Sequence, residues 1–237
     1  MLHYRATREV FDAARQLCAG KCPQEKILGA NILGQLGVPD RTFPEESVAI
    51  LIGLLDVEKD EYVMQSACIA LGHIRSSKAI PSLSRLKSHL SADVRYAVVY
   101  GLLGLEDDLA IKMMIDLSKD ADDRVRDWAT FGLGSLINAD SPQIREALFA
   151  RLLDSDEGTR GEALVGLARR KDQRIVELLL MELNRFPEGE YGRFGLEAVE
   201  DIGDPRFLPE VTRLKRTVAH DDTTFDEAIR RCTLVAS

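Results

Sequence analysis

The run Val125-Arg126-Asp127-Trp128-Ala129-Thr130-Phe131-Gly132-Leu133-Gly134 decides how this chain folds, because it recurs. With Arg126 as the reference, a small residue stands three positions on, another six on, an aliphatic seven on and a glycine eight on. Arg95 leads in the same way to Val98, Gly101 and Leu102, and Met64 leads to Ala67, Ala70, Leu71 and Gly72. Lys26 leads to Gly29, Ile32, Leu33 and Gly34, and Arg160 to Ala163, Gly166, Leu167 and Ala168. Gly192 leads to Gly195, Ala198 and Val199, and Phe225, more weakly, to Ala228 and Cys232. The references are spaced by 38, 31, 31, 34, 32 and 33 residues, a period that marks a stacked repeat.

A second amphipathic stretch lies between successive occurrences, as at Ala79 to Leu90, Ile144 to Leu153, Ile175 to Leu183 and Phe207 to Leu214. Its apolar residues recur every three or four positions, which predicts a helix with one buried face. Pro81, Pro142, Pro205 and Pro209 fall near the starts of these stretches, where a missing amide donor costs little. Asp93, Asp122, Asp123, Asp154 and Asp156 precede the following helix, where a carboxylate caps free amides. No stretch alternates with period two beside turn signals, so strands are not expected. Each unit is thus helix A, turn, helix B, connection. One hairpin cannot bury its own apolar face, and the small residues let neighbouring B helices approach closely. The expectation is all-α: a right-handed α-solenoid of about seven helical hairpins over residues 1–237 as one array, the first beginning near Thr7.

Composition narrows the function. The chain has 237 residues, 45% of them hydrophobic, and 31 Lys plus Arg against 39 Asp plus Glu give a net charge of −8. That balance repels phosphate backbones and favours basic partners, so a nucleic-acid partner is not expected. The start, Met1 to Glu9, has no apolar segment behind its charges, and the longest apolar runs fall far short of the ~20 residues that span a bilayer. A cytoplasmic protein without membrane contact is expected. Cys18, Cys22, Cys68 and Cys232 lack metal-ligand spacing, as do His3, His73, His89 and His220, so no metal, cofactor or catalytic residue is assigned. The acidic pairs Asp107-Asp108 and Asp122-Asp123 read as turns and caps.

The motif resembles the HEAT-like repeats of the phycobilin-lyase-type group, whose consensus runs Val-Arg-x-x-Ala-x-x-Ala-Leu-Gly. The resemblance covers nearly the whole chain and is strongest from Glu61 to Leu183. Val125 to Phe131 and Glu162 to Asp172 are similar more narrowly to bacterial HEAT-repeat proteins encoded beside Rhs-type toxins, some of which look like immunity proteins. The resemblance implies a non-catalytic scaffold that binds a protein through the concave B-helix face. A basic toxin domain is the specific partner it suggests. A subunit of a bilin lyase is the alternative, and a HEAT-like alkylpurine DNA glycosylase a lesser one. Trp128 favours the glycosylase, whereas the net charge opposes it, and Arg169-Arg170-Lys171 with Arg174 is the one dense basic cluster.

In such arrays the concave face exposes the first, second and fifth positions after each reference. The fifth positions read Asn31, Ile69, Tyr100, Phe131, Val165, Glu197 and Arg230, apolar or aromatic through the middle. Gln65, Tyr96, Asp127, Trp128 and Glu162 stand beside them. The expected partner-binding set is therefore Gln65, Ile69, Tyr96, Tyr100, Asp127, Trp128, Phe131, Glu162 and Val165. Arg95, Arg126 and Arg160 are read as structural, pairing with Asp93, with Asp122 or Asp123, and with Asp156.

Overall fold

A computed structural model describes residues 6–184, 191–217 and 223–234, so His3 and His220 lie outside the described residues. Among the described residues there are fourteen α-helices and no strand. The A helices are α1 (Arg8–Cys18), α3 (Pro44–Val57), α5 (Ile80–Leu86), α7 (Asp108–Leu117), α9 (Pro142–Arg151), α11 (Val176–Asn184) and α13 (Leu208–Thr217). The B helices are α2 (Pro23–Gln35), α4 (Glu61–Ile74), α6 (Ala92–Leu102), α8 (Asp123–Ser135), α10 (Glu157–Arg169), α12 (Tyr191–Ile202) and α14 (Thr223–Leu234). All seven reference positions fall in B helices, which makes seven hairpins.

Local chemistry sets the helix starts. Thr7 caps α1 through Val10 N, at 3.4 Å, and Asp60 accepts from Tyr62 N and Val63 N at 3.0 and 3.2 Å. Asp107 caps α7, Ser141 caps α9 and Asp156 caps α10, the last through Thr159 N at 2.7 Å. Pro23, Pro44, Pro81 and Pro142 occupy first-turn positions, where no intrahelical donor is lost.

The chain divides into two compact units, residues 1–128 and 129–237, with the division inside α8. In the first unit the B helices α2, α4 and α6 pack in succession, and α1, α3, α5 and α7 form the second layer. In the second unit α10, α12 and α14 pack in succession, with α9, α11 and α13 against them. The small residues of the motif lie where backbones nearly touch. A Cβ added to Gly34 would lie 2.7 Å from Ala70 Cα, and one added to Gly72 would lie 2.5 Å from the Tyr100 carbonyl oxygen. In the second unit, a Cβ on Gly166 would lie 2.6 Å from Gly134 Cα.

The repeated arginine is structural, and Arg95 reaches a carboxylate other than the Asp93 expected of it. Arg95 Nη1 donates to the carbonyls of His89 and Leu90 at 2.8 and 3.0 Å. Arg126 does the same to Asp120 and Ala121 at 3.0 and 3.1 Å, and Arg160 to Asp154 and Ser155 at 2.9 and 3.1 Å. A helical side chain leans toward its N-terminus, so a first-turn arginine reaches back over the preceding turn. The carboxylate that Arg95 grips is Asp120, at 2.7 Å to both oxygens, and Asp93 pairs with Arg124 at 3.0 Å. Burial is the largest influence on Asp120 and opposes its charge, but the Arg95 hydrogen bonds, the Asp122 amide and the Arg95 charge together outweigh it and hold the carboxyl below its ordinary pKa.

A second set of cations clips the far ends of the B helices. Arg41 donates to the carbonyls of Gly34 in α2 and of His73 in α4. Arg170, with 5% of its side chain exposed, donates to the carbonyls of Leu133 (2.8 Å), Gly134 (3.1 Å), Ala139 (2.9 Å) and Gly166 (2.9 Å). Lys171 Nζ reaches the carbonyls of Asp201 and Ile202 at the end of α12. Helix C-termini carry unsatisfied carbonyls and partial negative charge, and these side chains answer both.

Candidate protein-binding face

Residues spaced by four fall on one face of a helix. In α4 that spacing aligns Gln65, Ile69 and His73, all partly exposed. In α6 it aligns Tyr96 and Tyr100, also partly exposed, and the first turns of α8 contribute Asp127 and Trp128. The rings make a continuous ladder across the three helices. His73 meets Tyr100 edge-on, with centroids 5.4 Å apart and planes at 76°. Tyr100 lies 6.0 Å from Trp128 at 38°, and Trp128 lies 5.8 Å from Tyr96 at 74°. Offset and edge-to-face pairs at these separations are the favoured arrangements for aromatic quadrupoles. Gly72 is what lets Tyr100 lean on α4, since a Cβ there would lie 3.0 Å from the Tyr100 ring.

Six of the nine expected residues therefore share one unit, with the rings among them in direct contact. In the second unit Phe131 and Glu162 are partly exposed, and Glu162 accepts a hydrogen bond from Ser135 Oγ at 3.3 Å. Val165 is a correction: it is 1% exposed and belongs to the core. The close approach at Gly134 and Gly166 leaves α10 buried from Ala163 through Ala168, so its fifth position packs inward. His73 is an addition, one that its four-residue spacing from Ile69 was sufficient to mark.

Electrostatics define the two ends of the ladder. Burial raises the Tyr96 phenol above its ordinary pKa, with Tyr100 and Asp127 adding to the rise and Arg124 opposing it. At the other end, burial and then the Arg41 charge hold His73 below its ordinary value of 6.5. The unfolded chain thus takes up this proton more readily than the folded one. Stability from neutral His73 is complete above about pH 6.5 and declines as the pH falls below it, toward the folded pKa. An NMR titration is expected to place His73 below 6.5, and His73→Asn to flatten the stability profile between about pH 5 and 7. An unchanged profile in the variant would refute this.

The remaining chemistry is quiet. Burial pushes the Cys18 and Cys232 thiols up to about 11 and the Cys68 thiol up to about 12, so they stay protonated at neutral pH. Among the described residues no cluster of three or more His, Cys, Asp or Glu could hold a metal, and no helix is long and apolar enough to cross a membrane. The Arg169–Arg174 cluster is used within the fold. Arg170 and Lys171 clip helix ends, Arg169 donates to the Ser135 carbonyl, and Arg174 grips Asp172 and Glu146 at 2.7 and 2.6 Å.

Comparison with known proteins agrees with this architecture. Residues 11–103 match the family described as HEAT repeats. Protein YibA of Escherichia coli strain K12 is 28% identical over 221 residues, covering 88% of this chain and 75% of YibA. An X-ray structure of YibA superposes with a TM-score of 0.76 at 24% identity, covering 97% of this chain and 83% of that one. A designed armadillo repeat protein, solved in complex with the peptide (KR)4, superposes with a TM-score of 0.60 at 19% identity, covering 81% of this chain and 99% of that one.

Proposed function

We propose that this HEAT-repeat chain is a non-catalytic scaffold that binds a protein partner through the exposed face of α4, α6 and the start of α8. The observation that carries the reading is the ladder His73–Tyr100–Trp128–Tyr96, four rings in contact on a face where a solvated repeat would place charged side chains. Soluble proteins rarely leave contiguous apolar patches uncovered, and Tyr and Trp are the side chains enriched as interface anchors. The net charge of −8 favours a basic partner. With the resemblance to HEAT proteins encoded beside Rhs-type toxins, the partner class becomes a basic toxin domain and the role that of an immunity protein.

The test is affinity capture from native lysate at ~0.15 M salt, where long-range attraction is screened, comparing the wild type with Tyr96→Ser/Tyr100→Ser. A single basic protein, retained by the wild type and lost by the folded variant, is the expected result. Retention of nothing, or of the same partner by both, would overturn the binding face. The immunity role fails separately if cells that express this chain remain fully sensitive to the captured partner.

A further inference from the structure

Several B helices end on a residue with left-handed backbone. Glycine takes that position after α2, α6 and α12, as Gly37, Gly104 and Gly203, because a Cβ is strained there. After α10 and α4 a cation takes it instead, Lys171 at φ 54° and Arg75 at φ 57°. Lys171 offsets the strain by reaching the carbonyls of Asp201 and Ile202. Arg75 has no such contact. It is exposed, and among the described residues its side chain makes no hydrogen bond or ion pair. A like charge stands beside it instead. Arg41, itself left-handed at φ 51°, donates to the His73 carbonyl at 2.7 Å, two residues before Arg75, and the Arg75 charge opposes its own. Among the described residues no carboxylate pairs with either guanidinium, and the partly exposed His73 ring beside them has no hydrogen-bond partner.

We infer that Arg41, His73 and Arg75 form a receptor for one acidic side chain of the protein partner, at the His73 end of the ladder. The inference rests on the protein-binding reading and names one group that the partner presents. Two full positive charges stand at the ends of α2 and α4, where each helix contributes roughly half a negative charge, so about one positive charge remains. A single carboxylate matches that excess. A phosphate dianion overshoots it and is repelled by the net charge of −8. The Arg75 fork is unused, and Arg41 keeps donors beyond those given to the Gly34 and His73 carbonyls, so both carboxylate oxygens can be held. An acidic residue set in an otherwise basic partner surface would have one place to dock here, which fixes register more than it adds attraction.

The experiment follows the His73 ring of the full chain by NMR during titration with a capped Gly-Glu-Gly peptide and, separately, with capped Gly-Gln-Gly. Arg41, from the segment before α3, and Tyr100, from α6, are the groups that face this ring. A bound carboxylate stabilises the imidazolium, so the glutamate peptide is expected to raise the His73 titration midpoint saturably and the glutamine peptide to leave it in place. Arg75→Gly relieves the left-handed strain, and its melting temperature is expected to equal or exceed that of the wild type. Its affinity for the glutamate peptide is nevertheless expected to fall about three- to tenfold. Lys112→Gln removes an exposed cation of α7 and is expected to change nothing. No response to glutamate, an equal response to glutamine, or wild-type affinity in Arg75→Gly would each overturn the receptor. An equal loss in Lys112→Gln would do the same by showing that net charge alone attracts the peptide. Tighter binding of inorganic phosphate than of the glutamate peptide would overturn the carboxylate assignment. A partner captured from lysate whose binding ignores Arg75→Gly would sink the receptor and leave the scaffold reading standing. Capture of no partner would sink the scaffold reading and leave the peptide titration to judge the receptor.

Discussion

Arg170→Met is expected to destabilise the second unit by roughly 3–5 kcal/mol, the largest effect of any single substitution considered for this chain. Methionine preserves much of the buried stem and removes every donor. The carbonyls of Leu133, Gly134, Ala139 and Gly166, which Arg170 serves at 2.8–3.1 Å, then have to remain dry or draw water into the contact between helix ends. Each buried acceptor left unsatisfied costs about 1–3 kcal/mol, so a partial failure of compensation is enough to reach this range. Typical stabilities are about 5–15 kcal/mol, which makes the loss a substantial fraction of the whole. Arg170→Lys is expected to recover only part of it, because one ammonium cannot span acceptors that a planar fork reaches together. Urea unfolding of the full chain, followed by circular dichroism, provides the measurement. A loss below about 1 kcal/mol for Arg170→Met would mean that water serves the carbonyls as well as the guanidinium does.

Gly72→Val is expected to cost about 3 kcal/mol, while Gly53→Ala is expected to stabilise by about 0.5–1 kcal/mol. Both glycines are helical, and what their Cβ would meet decides the sign. At Gly72 it would sit 2.5 Å from the Tyr100 carbonyl oxygen and 3.0 Å from its carbonyl carbon, so α4 and α6 would have to part. At Gly53, exposed in α3, nothing lies within 4 Å, and alanine improves helix propensity without a clash. Displacing Tyr100 also breaks the ladder, so Gly72→Val should alter Trp128 emission where Gly53→Ala does not. Equal stability changes of one sign in the two variants would disprove the close-approach account.

The repeat was legible because its physics is local and periodic. Small residues at the sixth and eighth positions mark where backbones meet, and Gly34 against Ala70 and Gly72 against Tyr100 are those meetings. The same period marks the direction in which a side chain points, but not how much of a neighbouring helix lies over it. Val165 shares the register of Tyr100 and is buried all the same. The partner of Arg95 was misread as Asp93, the carboxylate nearest in sequence, because the reach of an arginine across a turn depends on where the next hairpin places Asp120. In the sequence Arg170 stands only as one member of the dense basic cluster Arg169-Arg170-Lys171 with Arg174. Its acceptors are main-chain carbonyls, which every residue has, so they leave no trace in sequence. The division between residues 128 and 129 is likewise unmarked, since it falls in the middle of the recurring motif.

A stack of similar hairpins invites the idea that any one could be excised, duplicated or exchanged at will. The clips restrict that freedom. The donor on Arg170 follows α10, while its acceptors lie on α8, on the segment after it and on α10 itself. Arg41 likewise takes one acceptor from α2 and another from α4. Removing a single hairpin would orphan the carbonyls or the cation left in its neighbour. The smallest piece of this array that can be transplanted with its polar groups satisfied is consequently a pair of adjacent hairpins, and repeat grafting or duplication should respect that pairing.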